Sequence, residues 1–273
     1  MQVTSFSDFS WLHHGFSSRG GVGSAVLAAQ GPAGENDLNL GYTAGYDSAI
    51  VGANRSLFLH AVAPELEARL VTVRQVHSAK VEVVGAGQAA GALTANGGAV
   101  IEADGLITGE PGVMLGILVA DCVPVLVADV KRRVVAAFHA GWRGTAAGIV
   151  ESGISRMREE FGCEAEDLIG VVGPSIGACC YTVGEEVRGK FGQRFSYTEE
   201  LFRREGEGWA LDLWNANRRQ MVGAGMRADR VTVVGECTAC TRAEGRRKYF
   251  SYRAEGGVTG RAMGVIGMVE ERV

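Results

Sequence analysis

The longest apolar pattern in the chain runs from Pro111 to Gly144, PGVMLGILVADCVPVLVADVKRRVVAAFHAGWRG. It contains three runs rich in Val, Leu and Ile, interrupted at Asp121, at Asp129 and at a basic turn, Lys131-Arg132-Arg133. Runs of this length and branching predict three buried strands. Upstream, Asp47 reads as the N-cap of a helix from Ser48 to Ala61 with Ile50, Ala53 and Leu57 on one face. Alternation then predicts strands over Leu70 to Val76 and Lys80 to Val84, flanking His77 and Ser78, and a short strand after Ala103-Asp104-Gly105. After Gly144 the period lengthens: Val150, Ile154, Met157 and Phe161 predict one amphipathic helix from Thr145 to Phe161. Further strands are expected at Leu168 to Val172, Trp209 to Leu213, Val231 to Val234 and near the end of the chain, with a helix over Asn215 to Gly225. The charged stretch 185–208 reads as helical or surface-exposed. Loops are expected at His13 to Ser24, where backbone N–H groups beside Arg19 could meet an anion, at Asn36 to Gly45, at Gly85 to Gly98 and at GPSIGACCYTVG.

No repeat, linker or composition break divides the 273 residues, so a single domain over 1–273 is expected. A hydrophobic fraction of 47% supports a sizeable core, and 40 scattered glycines, about twice the usual ~7%, point to many tight turns. A net charge of −4 gives no electrostatic reason to expect nucleic acid or an anionic membrane as a partner. The start, MQVTSFSDFSWLHHG, lacks a basic stretch followed by an apolar run, and Val113 to Val130 is interrupted by Asp121 and Pro124, short of the ~20 apolar residues a span needs. A cytoplasmic location with six reduced cysteines is the expectation.

Chemistry gathers at the ends of the central runs. Cys122 follows the first, His139 closes the third, Asp121 and Arg143 lie beside them, and His77 sits in a turn between two strands. Two imidazoles and a thiolate suit a catalytic zinc with a position left for water. A metal-free scheme uses the same residues, with Cys122 as nucleophile and His139 as base for amide hydrolysis. Buried structural roles satisfied by backbone are the third reading. Asp121 is expected to accept a hydrogen bond from a ligand histidine. Cys179 and Cys180 are adjacent, a poor chelate for one metal, and read as small buried residues; the Cys237–Cys240 pair is followed by no second pair and reads as loop cysteines without a metal.

These residues also sit in motifs. RQVH at Arg74–His77, ADG at Ala103–Gly105, ADCVPVL at Ala120–Leu126, HAGWRG at His139–Gly144, GPSIG at Gly173–Gly177 and FSYR at Phe250–Arg253 occur in that order, between HGFSSR near the front and TGRAMGVI near the end. In this respect the chain resembles the YfiH-type family of laccase-domain proteins, over nearly its full length. The resemblance implies an α/β fold, a compact domain of mixed sheets flanked by helices, and a zinc site whose ligands fall on His77, Cys122 and His139. It implies phosphorolysis of adenosine, inosine, guanosine and methylthioadenosine with deamination of adenosine, on small-molecule substrates, by a monomer or homodimer. Two other activities attach to the family: copper-dependent phenol oxidation and amide hydrolysis that edits peptidoglycan precursors. A non-catalytic purine-binding module is the remaining alternative. Ser175 stands where the family often has Cys, and Thr182 where Glu commonly follows the Tyr. Five histidines, His13, His14, His60, His77 and His139, are too few for the multi-copper cluster of a laccase, so zinc is preferred to copper. Arg55, Arg74 and Arg143 are the arginines expected to hold phosphate, ahead of Arg19, because a forked guanidinium suits that anion.

Overall fold

The three central runs fold into three consecutive strands buried along almost their whole length, the second and third paired antiparallel and the first in a separate sheet. In the computed structural model, which describes residues 1, 3–20, 37–43, 45–64, 69–85 and 99–269, they lie among the following elements. The first half contains α1 (Thr4–Ser7), β1 (Leu12–Phe16), α2 (Ser48–Val62), β2 (Arg69–Val71), β3 (Val81–Val83), β4 (Gly105–Thr108), β5 (Val113–Val119), β6 (Val123–Asp129) and β7 (Val134–Ala140). Then come α3 (Trp142–Ala147), α4 (Ile149–Phe161), β8 (Leu168–Val172), β9 (Thr182–Val183), α5 (Glu185–Gly192), β10 (Phe202–Glu205), β11 (Gly208–Leu211) and α6 (Leu213–Gly223). The chain closes through β12 (Val231–Val233), the hairpin β13 (Arg242–Ala243) and β14 (Arg246–Arg247), and β15 (Ala262–Met268).

The main strands form two mixed sheets. One has the order β1-β15-β5-β2, with β2 parallel to β5 and the other pairs antiparallel. The other has the order β12-β8-β6-β7-β4-β3, parallel at both edges and antiparallel through its centre. Alternate side chains of β6 serve two cores: Val123, Val125 and Val127 pack with α4 and α6, whereas Leu126 and Ala128 pack with Leu115, Ile117 and Ile266 of the facing sheet. Phe58 and Val62 of α2 cover the outer face of the smaller sheet, against Met114, Met263 and Val265. The architecture is therefore a mixed α/β arrangement of two apposed sheets with helices outside each.

Local chemistry explains where the elements depart from the sequence pattern. The expected helix from Thr145 to Phe161 is two helices, because Gly148 adopts φ 78°, ending α3 and opening α4. The end of the stretch read as helical or exposed holds β10, which forms a hairpin with β11, the strand expected from Trp209. The strand expected over Leu70 to Val76 stops at Val71; Arg74 keeps only an isolated bridge to Glu102. His13 to Phe16 belongs to β1 rather than to a loop. The remainder of that loop from Gly21, and nearly all of the expected connection Gly85 to Gly98, lie outside the described residues. Cys179 is exposed and Cys180 half-buried, so neither is the buried filler expected.

Candidate metal centre and cleft

Register brings the first two site residues together. His139 of β7 lies opposite Pro124 of β6, and Cys122 is two residues before Pro124, so both side chains fall on one face of the sheet. The third, His77, is held from both sheets. Gln75 Nε2 donates to Leu118 O at 2.7 Å and its Oε1 accepts from Leu118 N at 2.9 Å, pinning the segment to β5. Asp104, wholly buried at the mouth of β4, accepts from the backbone N–H groups of Val76 (3.2 Å), His77 (3.0 Å) and Ser78 (2.6 Å), and from Ser78 Oγ (2.8 Å). This cradle holds His77 at φ 61°, a conformation a non-glycine residue adopts only when its surroundings impose it.

The same carboxylate lies 2.8 Å from His139 Nδ1. Facing a carboxylate, Nδ1 carries the proton and donates it, which leaves Nε2 as the free ligand atom. Burial opposes a charge on Asp104, yet the hydrogen bonds from His139 and Ser78 hold its pKa down at about 2. Cys122 Sγ stands 3.9 Å from His77 Nε2, and the two imidazole rings meet edge to face at 4.8 Å. Burial works against both charges, but the Cys122 thiol is drawn below its ordinary value by His139, and His139 is pushed above its own by Cys122 and Asp104. Ligand atoms of His77, Cys122 and His139 all lie within 4.8 Å of one another. Gly141 leaves room for them: a Cβ there would come within 2.8 Å of Cys122 Sγ and 3.1 Å of His77 Cδ2. Two imidazoles and an acidified thiol, with a carboxylate fixing one ring, fit a single zinc-class ion with an open position.

Asp121 does not take the role expected of it. At φ 86° it turns away from the histidines, accepting from Thr238 Oγ1 and from Arg253 N, each at 2.6 Å. Its carboxylate is engaged by those two donors, and the acceptor for the ligand histidine His139 is Asp104 instead. The motif Ala103-Asp104-Gly105 was the available signal, an acid directly before a strand that is buried throughout.

The trio opens on a cleft of about 720 Å³. Arg55, Arg74 and Arg143 all line it, as do Arg253 and Arg261, which the sequence reading passed over. Arg74 is paired with Glu102 at 3.0 Å, whereas Arg143 stacks 4.3 Å over Trp142 with no carboxylate partner among the described residues. Arg55 spends one N–H on Leu40 O and lies 4.4 Å over Tyr42. Arg253 donates to Thr182 O and lies over Tyr181. Burial pushes the Tyr181 hydroxyl up to about 12, so it remains a hydrogen-bond donor. Arg19 is elsewhere, bound to Asp37 and Glu255 outside the cleft.

A mixed two-sheet fold with one histidine–thiol site at the mouth of an arginine-lined, aromatic cleft defines the class of protein. The sequence matches the family described as multi-copper polyphenol oxidoreductase laccase over residues 13–269, and the chain belongs to that family. It is 34% identical over 256 residues to a purine nucleoside phosphorylase of Bacteroides thetaiotaomicron, covering 92% of this chain and 93% of the relative. It is 36% identical over 237 residues to purine nucleoside phosphorylase YlmD of Geobacillus stearothermophilus, covering 86% and 84%. The crystal structure of that YlmD superposes with a TM-score of 0.82 at 31% identity, covering 98% of this chain and 94% of YlmD. No helix among the described residues is long and apolar enough to cross a membrane.

Proposed function

We propose that residues 1–273 form one catalytic domain, a zinc-dependent purine nucleoside phosphorylase that accepts adenosine, inosine, guanosine and methylthioadenosine and also deaminates adenosine. The observation that carries this reading is the convergence of His77, Cys122 and His139 with guanidinium groups and aromatic faces in one cleft. The names of the relatives support it. In this reading His77, Cys122 and His139 hold the metal, and zinc bound there supplies a Lewis acid that brings the pKa of water toward ~7. Asp104 keeps the proton on His139 Nδ1, so Nε2 stays directed to the centre. Trp142 and Tyr181 offer flat faces for a purine, and Arg143 with Arg253, backed by Arg55 and Arg74, offers a forked cradle for phosphate. Phosphate held there attacks the anomeric carbon while the purine leaves, and its negative charge offsets the electron deficiency of the sugar in the transition state. The enzyme acts as a monomer or homodimer in the cytoplasm.

One alternative has an observation in its favour. Asp104, His139 and Cys122 line up as acid, imidazole and thiol, the order a cysteine amidase would use on a peptidoglycan precursor. A laccase-like oxidase is disfavoured, because only two of the five histidines converge: His13 Nδ1 lies 3.1 Å from Val62 O, His14 Nε2 accepts from Val3 N, and His60 is on α2. If one cleft serves both purine reactions, adenosine inhibits inosine phosphorolysis competitively and a chelator abolishes both. Non-competitive inhibition separates the two sites. Turnover of a peptide amide that survives chelation but not thiol alkylation supports the amidase instead, and absence of any turnover supports a purine-binding module.

A further inference from the structure

Four sulfurs meet outside the cleft. Cys179 and Cys180 lie between β8 and β9, Cys237 and Cys240 follow β12, and all four Sγ atoms are within 4.8 Å of one another, with Cys179 and Cys240 at 3.7 Å. All are free thiols and none lines the cleft. The backbone is built to bring them together. Ser175 bridges to Cys237, with Ser175 N donating to Glu236 O and Thr238 N to Ser175 O. Cys180 N closes a turn on Gly177 O, and Thr241 N closes another on Cys237 O. Gly177 N–H also donates to Cys237 Sγ at 3.3 Å, the kind of contact that favours a thiolate. A Cβ at Gly177 would meet Trp214 at 2.7 Å and Cys179 Sγ at 3.3 Å, so glycine is what lets this loop fit.

Burial does not explain the cluster, since Cys179 and Cys240 are both exposed. Its dimensions do suggest an occupant. Two sulfurs each about 2.3 Å from one zinc are about 3.8 Å apart in a regular tetrahedron and at most about 4.6 Å. The four thiols are already on that scale. A multi-iron cluster interposes several atoms between its thiolates and needs a wider ring. The Cys-x-x-Cys pair that seemed to lack a partner has one upstream, in the adjacent cysteines of the other loop.

We propose that Cys179, Cys180, Cys237 and Cys240 form a second, closed metal site that takes one zinc-class divalent cation and ties the loop after β8 to the loop after β12. Its role is to set the cleft wall: Tyr181 follows Cys180 directly, and Thr238, between the two later cysteines, binds the Asp121 carboxylate that also holds Arg253 N. This inference is independent of which reaction the cleft performs.

The test is metal analysis on full-length protein purified under reducing conditions. Wild type carries about two zinc ions per chain, and His77→Ala/Cys122→Ala/His139→Ala carries about one. Adding Cys179→Ser/Cys240→Ser to that triple variant removes the last. Should the five-fold variant fold poorly, cobalt(II) added to the triple variant settles the matter, giving the intense thiolate-to-cobalt charge-transfer bands of a tetrahedral all-sulfur site. A triple variant that binds neither zinc nor cobalt while its four thiols stay reactive overturns the proposal, as does recovery of these cysteines as disulfides under the same conditions.

Discussion

Cys122 stands between two imidazoles at the mouth of a cleft, whereas Cys179, Cys180, Cys237 and Cys240 crowd against one another outside it. The two clusters are supported differently. Behind the first is a buried carboxylate, Asp104, that orients one ring and holds the backbone of the other histidine. Behind the second is backbone alone: two tight turns and an N–H aimed at sulfur. Three donors beside an arginine-lined space leave a coordination position for something else, and four thiols leave none. Sulfur content alone therefore does not separate an open cluster from a closed one; access and what stands behind the ligands do.

Substitutions separate the two clusters, starting with the largest effect. His139→Ala removes a ligand and the partner of Asp104, and is expected to lower phosphorolysis and deamination together by about 10³-fold. Full phosphorolysis in a His139→Ala protein without zinc at the trio would sink the shared-centre reading. Asp104→Asn keeps every ligand but loses the charged acceptor, and is expected to weaken zinc binding at the trio by about 10- to 100-fold while leaving any metal at the four cysteines in place. Zinc titration of each variant reads this directly.

Asp104 also predicts a pH dependence. Its folded pKa of about 2 lies below the ordinary 3.8, so its contribution is complete above about 4 and lost as the pH falls through about 2. The stability gap between metal-free wild type and metal-free Asp104→Asn should therefore narrow by about 2 kcal/mol over that window, as measured by denaturant unfolding at each pH. A gap that stays constant would mean that the carboxylate is not charged in the cradle. A smaller effect is expected at the arginines of the cleft. Arg143→Met should raise the KM for phosphate about 10-fold, the worth of one charge-assisted contact, with little change for the nucleoside. Arg74→Met should do less, because Glu102 already occupies that guanidinium. Equal losses for phosphate and nucleoside would instead mark Arg143 as structural.

Much of the fold was legible because burial and chain pattern agree. β5, β6 and β7 are covered on both faces, so their side chains are apolar except for Asp129 and His139 near strand ends, and Asp47 caps α2 through the Ala49 N–H as its position before an apolar period suggests. What escaped depends on a single backbone angle or a distant partner. Gly148 splits a helix whose apolar spacing runs across the break, and Gln75 spends its side chain on β5, so alternation through that segment does not make a strand. The approach of His77, Cys122 and His139 was legible as polar residues at apolar strand ends. The service of Asp104 was not, because its five donors come from segments 26 to 35 residues away. The four-cysteine cluster escaped because Cys179 and Cys237 are brought together by a bridge at Ser175 that leaves no periodic mark.

The trio as the metal centre of a phosphorolytic enzyme is tested most directly by product analysis coupled to metal analysis on the same samples. Zinc-loaded wild type and Cys122→Ala are each incubated with inosine and with adenosine, with and without phosphate. Expected are phosphate-dependent release of free purine base with ribose 1-phosphate, phosphate-independent conversion of adenosine to inosine, and the loss of both along with one zinc per chain in Cys122→Ala. Base release that persists in Cys122→Ala, or zinc-loaded wild type that releases no base in the presence of phosphate, would contradict it.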